Sequence, residues 1–189
     1  MRISKEPAER KQEIIDTAMR LFYEKGYEKT SISDIAKEMN VAQGLFYRYF
    51  PSKEILFDTA IEQYAQLQVN QMTSILRKPG LTLIQIVEQM PTFIEAEQED
   101  SYAKKVFHGA GSKEIHMRLS MSICAKMQPV VKELLEAANK RGETHIQDTD
   151  AAASFCVYGQ LGILLDQDLP REDRVKRIKT FLIQILRKW

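Results

Sequence analysis

Cysteine is scarce in this chain. Cys124 and Cys156 are too few for a disulfide framework and sit in apolar helical contexts, so they read as buried thiols in a fold held by its own core. Long apolar runs are absent too. None reaches the ~18 residues of a membrane span, and the N-terminus is charged rather than apolar, so neither a signal peptide nor an anchor is expected and the chain is placed in the cytoplasm, away from membranes. An excess of one charge is also missing: 27 Lys and Arg against 26 Asp and Glu leave a net charge of +1. The chain is no general polycation, and any nucleic-acid binding has to come from a local patch. Histidine is limited to His108, His116 and His145, none at the three- or four-residue spacing of a helical metal site. His116 and Cys124 lie about two helical turns apart, roughly 12 Å, too far to share an ion. With no Gly-rich phosphate loop, nucleophile elbow or paired carboxylates, no enzymatic role, metal or cofactor is expected.

What is present is helical periodicity from end to end, with no strand signal. The organising stretch is Thr30 to Lys53, TSISDIAKEMNVAQGLFYRYFPSK. Ser31 with Asp34 three residues on is an N-cap signature, and Ile32, Ile35, Ala36 and Met39 follow at helical spacing. Asn40 tolerates the left-handed conformation and is the expected helix stop. A second helix then starts at Ala42, with Phe46 and Phe50 facing inward and Gln43, Gly44, Leu45, Tyr47, Arg48 and Tyr49 on or beside the outward face. Two such helices with a short turn form a helix-turn-helix, whose second helix fits the DNA major groove. No acid occurs between Glu38 and Glu54, so Arg48 and Lys53 meet phosphates without local repulsion. Gly44 permits close backbone approach, Gln43 can pair with an adenine edge, and Leu45 can touch a thymine methyl. The tyrosine hydroxyls and Ser31 can donate to phosphates.

The run Gly26-Tyr27, Thr30-Ser31-Ile32, Asp34-Ile35-Ala36, Val41, Gly44, Phe46-Tyr47-Arg48-Tyr49-Phe50 and Ser52-Lys53-Glu54 resembles the DNA-binding domain of TetR-family transcriptional regulators. The resemblance implies that Gln43, Gly44, Leu45, Tyr47, Arg48 and Tyr49 lie on the recognition helix. Ser31 and Lys53 would clamp phosphates, with Thr30 counted among the DNA-binding residues. Two positions depart from the family pattern. Ala42 stands where a capping and phosphate-binding Ser is usual, and Leu45 where a small or polar residue is common.

In chain order, Met1 to Lys11 reads as a solvated tail, followed by a helix from Pro7 or Ala8 to a Gly26 cap, with Ile14, Ile15, Ala18, Leu21 and Phe22 as its apolar stripe. Pro51 breaks the recognition helix and Ser52 caps the next, expected over 53 to 77, about 35 Å at ~1.5 Å per residue. The fold class is therefore all-α: a three-helix DNA-binding domain over residues 1–51 and a larger helical ligand-binding and dimerisation domain over 52–189. Breaks are expected at Glu99-Asp100, Gly109-Ala110-Gly111, Arg141-Gly142 and 167–170, with a kink or split at Pro91. The family resemblance implies a small-molecule pocket in the second domain. Its candidates are Met117 and Met121 with Cys124, His116 and Met127 alongside, and Tyr64, Met90, Phe93, Tyr102, Phe107, Phe155 and Tyr158, although methionine at helical spacing is more often plain core. The last two helices, 151–165 and 171–189, are apolar over more surface than one core can hide. They point to a homodimer, with Gly159, Gly162 and Ala151 to Ala153 allowing close helix approach.

The functional expectation is a sequence-specific DNA-binding regulator. It is read as a repressor that binds an inverted repeat in double-stranded DNA as a homodimer and is released by a small-molecule effector. The alternative is an all-helical small-molecule-binding or scaffolding protein without DNA binding.

Overall fold

The computed structural model describes residues 6–76, 80–89, 105–106, 113–166 and 168–189. Among these every regular element is helical, and the chain divides into two compact units, Met1–Tyr64 with Glu99–His116 and Ala65–Gln98 with Met117–Trp189.

In the first unit, α1 (Pro7–Lys25) opens with a proline at its first position, where a missing N–H costs nothing. It closes at Gly26, whose positive φ of 88° favours glycine and whose N–H donates to the Phe22 carbonyl. Its stripe of Ile14, Ile15, Ala18, Met19, Leu21 and Phe22 is buried. Helix α2 (Ile32–Glu38) starts from Ser31 in a reciprocal cap with Asp34. Asn40 takes the left-handed conformation, φ 54°, and turns the chain into α3 (Gln43–Tyr47). Ser52 Oγ then accepts the Ile55 N–H at 3.1 Å and starts α4 (Lys53–Leu76). Two aromatic groups fix these helices together. Phe46 and Phe50 pack with tilted rings at 5.8 Å, while Phe22, Tyr27 and Phe57 form a triangle with sides of 4.9 to 5.7 Å. Phe22, Phe46, Phe50 and Phe57 are each at most 3% exposed, and each contributes on the order of 1.5–3 kcal/mol by burial.

In the second unit, α5 (Leu83–Gln89), α6 (Lys113–Lys140, from Met117 on), α7 (Thr149–Tyr158), α8 (Leu161–Leu164) and α9 (Arg171–Leu186) follow the end of α4. The Leu83 N–H at the start of α5 donates to Glu143 Oε2 at 2.8 Å. The core gathers Leu83 and Val87 from α5, Leu135 and Ala138 from α6, Ala152 and Ala153 from α7, and Ile178, Leu182 and Leu186 from α9. The break at 141–142 is present, with Gly142 at φ 72°.

Two expected boundaries are corrected. The helix over 151–165 is two pieces, parted at Gly159–Gln160. The chain is so tight there that a Cβ on Gly159 would lie 2.4 Å from the Phe155 carbonyl oxygen, and the Gln160 side chain donates to the Cys156 carbonyl. The last helix stops at Leu186 rather than Trp189, because the chain end turns so that the Trp189 carbonyl accepts the His145 N–H at 2.7 Å. The expected breaks at Pro91, 99–100 and 109–111 lie outside the described residues.

Candidate nucleic-acid interface

Helix α3 has one face in the core and one in solvent, and it ends at Tyr47, so that Arg48, expected on the helix, is its C-cap, and Tyr49 and Phe50 follow in the turn beyond it. Phe46 and Phe50 are buried, while Gln43, Gly44, Tyr47 and Arg48 are exposed and Leu45 and Tyr49 half-buried. Four-residue spacing points both phenylalanines the same way, so the side chains between them must point elsewhere. Tyr47 remains 52% exposed despite its large apolar ring, which makes a T-shaped contact with Phe46 at 5.8 Å. A Cβ on Gly44 would meet nothing within 4 Å, so the open surface beside it admits another molecule close to the backbone. No side chain caps α3, since Ala42 has the extended N-cap backbone (φ −69°, ψ 141°) without an oxygen to use there.

Three of the residues expected at DNA, Ser31, Thr30 and Lys53, are held differently. Ser31 is exposed, but its hydroxyl donates to Asp34 Oδ2 at 2.5 Å and accepts the Asp34 N–H at 3.1 Å. That hydroxyl and the Ser31 N–H, which donates to the same oxygen, hold the Asp34 carboxyl below its ordinary value. To reach a phosphate, the Ser31 hydroxyl has to leave Asp34. Thr30 is 1% exposed and its hydroxyl is shared between the carbonyls of Gly26 at 2.9 Å and Leu21 at 3.3 Å. Its side chain faces the core, against the expectation of a DNA-facing residue. A buried hydroxyl needs a partner, and the end of α1 supplies two. Lys53 Nζ donates to the carbonyls of Tyr27 at 2.8 Å and Thr30 at 3.0 Å.

Sequence reading missed Arg20, which bonds Glu38 at 2.6 Å and Glu24 at 3.4 Å. The hydrogen bond to Glu38 raises the Arg20 pKa and lowers that of Glu38. The last acid before the recognition helix is therefore compensated by α1, and the side presented by residues 39–53 keeps its cationic character. No local spacing signals a pair 18 positions apart. Among the described residues, no carboxylate pairs with Arg48.

A family model described as bacterial regulatory proteins, tetR family, matches residues 14–60, the region just described. An HTH-type transcriptional regulator of Bacillus subtilis, YuxN, itself uncharacterised, is 41% identical over 162 residues, covering 84% of this chain and 54% of its own length. The chain belongs to the TetR family. The family is one of transcriptional regulators and not of enzymes. Another relative, the negative transcriptional regulator of the icaADBC biofilm operon in Staphylococcus aureus, IcaR, is 40% identical over 52 residues, 28% of each chain. The present chain thus spans about half of YuxN and a smaller part of IcaR. The fold agrees with that of a TetR/AcrR-family regulator from Thermobifida fusca, with a TM-score of 0.64 at 21% identity, over 93% of this chain and 97% of that one.

Of the pocket candidates suggested by the sequence, Met127 lines the cavity described below, and the other described ones do not. Met117 and Met121 are 41% and 46% exposed, Phe155 is 78% exposed, Tyr158 is half-buried, and Tyr64 is in the core of the first unit. Met90, Phe93, Tyr102 and Phe107 lie outside the described residues. A cavity of about 60 Å³ opens instead inside the second unit, among Met72 and Leu76 of α4, Ile86 of α5, Met127 and Val131 of α6, and Leu182 of α9. Cys156 and Gln160 are its polar wall residues. Burial pushes the Cys156 thiol up to about 11 and that of Cys124 to about 12, so both stay protonated and unreactive at neutral pH. Among the described residues, no three His, Cys, Asp or Glu side chains gather as metal ligands, and no helix is long and apolar enough to cross a membrane.

Proposed function

We propose that this TetR-family chain is a cytoplasmic repressor that binds an inverted-repeat operator in double-stranded DNA as a homodimer and is released by a small-molecule effector. The observation that carries the reading is the stretch from α3 to Phe50, which turns Gln43, Gly44, Tyr47 and Arg48 to solvent while Phe46 and Phe50 hold it to the core. In this reading Gln43, Leu45 and the backbone at Gly44 meet base edges, and Arg48, Tyr47, Tyr49 and Ser31 meet phosphates. The printed role of IcaR as a negative regulator favours repression.

A five-residue recognition helix reads only a few base pairs, so useful specificity calls for two of them related by a two-fold axis. The pairing surface is the outer stripe Ala151, Phe155 and Gly159, at steps of four, together with the exposed Gly162 beyond the break and Phe181, which is 58% exposed. Exposed Phe155, one turn from Gly159, and exposed Phe181 suit a second copy of the same helices. The cavity under α5 and α6 offers an effector site without charge, which favours an uncharged, apolar ligand. At about 60 Å³ it has to expand to admit one, and its walls include Met72 and Leu76 of α4, the helix that begins at Lys53.

Selection of random duplex DNA by the purified protein, followed by titration of the winning sequence at several salt concentrations, tests the reading. An enriched inverted repeat with steep salt dependence is expected. Folded protein that enriches nothing would remove the repressor reading and leave an all-helical small-molecule-binding or scaffolding protein.

A further inference from the structure

We infer that Gln68 of α4 recognises the effector through its side-chain amide, and that the effector is an uncharged, mainly apolar molecule carrying one hydroxyl or carboxamide group. This assignment rests on the effector-site reading above. Among the described residues the buried polar ones are Thr30, Gln68 and Thr144. Thr30 donates to two carbonyls, and Thr144 Oγ1 donates to Asn139 Oδ1 at 2.8 Å. Gln68 is 7% exposed, and its amide has no hydrogen-bond partner among the described residues. An amide withdrawn from water without a bond costs stability, so its presence points to a use outside the fold. The amide is not sealed in. Among the described residues, Arg174 Nε is the fully enclosed side-chain nitrogen that lacks a partner, so the Gln68 amide keeps a little accessible surface through which another molecule can bond it.

Position along α4 ties the amide to the cavity. Within the second unit Ala65, Gln68, Val69, Met72 and Leu76 form the buried face of α4, while Gln66 and Asn70 bond each other on the exposed side. Gln68, Met72 and Leu76 follow at steps of four, and the last two are walls of the cavity. Gln68 is thus one turn, about 6 Å, beyond the cavity wall. A cavity of about 60 Å³ has to grow to take an effector, and growth by that one turn brings the ligand to the amide. The amide already in the wall, that of Gln160, is engaged, since its Nε2 donates to the Cys156 carbonyl at 3.0 Å. Gln68 has both a donor and an acceptor free, which a hydroxyl or a carboxamide answers and a hydrocarbon does not. No charged side chain lines the cavity, so an ionised ligand would lose its hydration there uncompensated.

The test compares full-length wild type with Gln68→Leu in two measurements. Thermal unfolding without ligand reads what the amide does for the fold, and a Tm at or above that of wild type is expected, because the substitution removes a buried group that no described residue bonds. Titration with phenol and with toluene, which differ by a hydroxyl in place of a methyl, reads what the amide does for a ligand. Binding is followed by the methyl NMR signals of Met72 and Met127, both in the cavity wall, so a probe held elsewhere does not register. Loss of the amide should lower the ratio of the toluene Kd to the phenol Kd by roughly three- to tenfold, the size of one neutral hydrogen bond. Gln68→Met, unbranched like glutamine, repeats both measurements, so that a packing fault peculiar to leucine is not mistaken for loss of the amide. A Tm below wild type in both variants means that the amide serves the fold, and an unchanged ratio means that it meets no ligand. Either result overturns the assignment. If neither probe, at its solubility limit, moves the two methyl signals of wild type, the effector reading of the cavity fails and the assignment falls with it.

Discussion

Thr30→Val separates a core role from a DNA-contact role at one position. The substitution keeps the shape of the side chain and opens no cavity, so its cost is the lost hydroxyl. That hydroxyl is 2.9 Å from the Gly26 carbonyl and 3.3 Å from the Leu21 carbonyl, in a residue 1% exposed. The Leu21 oxygen keeps its place in the helical ladder at the end of α1, whereas the Gly26 oxygen loses its side-chain donor. One lost bond with a partly orphaned acceptor costs about 1–2 kcal/mol. At about 2–4 °C per kcal/mol for a chain of this size, Tm falls by about 2–8 °C. Thermal unfolding followed by circular dichroism, paired with operator titration of the folded variant, reads both quantities. The expected result is a lower Tm with affinity within twofold of wild type and the same salt slope. An unchanged Tm with weakened DNA binding would refute the reasoning, because the hydroxyl would then be serving DNA and not the end of α1.

Ala42→Ser should raise stability by about 0.5–1 kcal/mol, since the backbone at 42 already has N-cap geometry and lacks only the oxygen; a Tm at or below wild type would argue against it. The Ser31 bonds hold Asp34 below its ordinary pKa of 3.8, so the capping box contributes fully above that value and is lost as pH falls through the lower folded value. Melting curves of wild type and Asp34→Ala should therefore converge in acid, and a gap that stays constant with pH would contradict the assignment. Gly159→Ala should destabilise by about 1–3 kcal/mol, because the new methyl would start 2.4 Å from the Phe155 oxygen; an unchanged denaturant midpoint would mean the chain relaxes there freely.

The sequence by itself determined the local elements of this protein. Ser31 with Asp34, Asn40, Pro51 with Ser52, and Gly26 each act within a few residues through backbone geometry and capping, so their effect is written in short spacings. Phe46 and Phe50, four apart, likewise identified the buried side of the stretch around α3 and, by subtraction, the side left to solvent. Tertiary structure decided what depends on partners distant in sequence. The pairing of Arg20 with Glu38 spans 18 positions and the hydrogen bond from Lys53 to the Tyr27 carbonyl spans 26, and no periodicity encodes either. Thr30, polar and beside an exposed N-cap, is drawn inward by carbonyls at the end of α1. The methionine stripe at 117 and 121 has the spacing of a cavity wall yet is exposed, while the cavity forms where α4, α5, α6, α7 and α9 fail to fill the space they enclose. Spacing fixes which side of a helix a residue occupies. Only the packing of other helices fixes what that side meets.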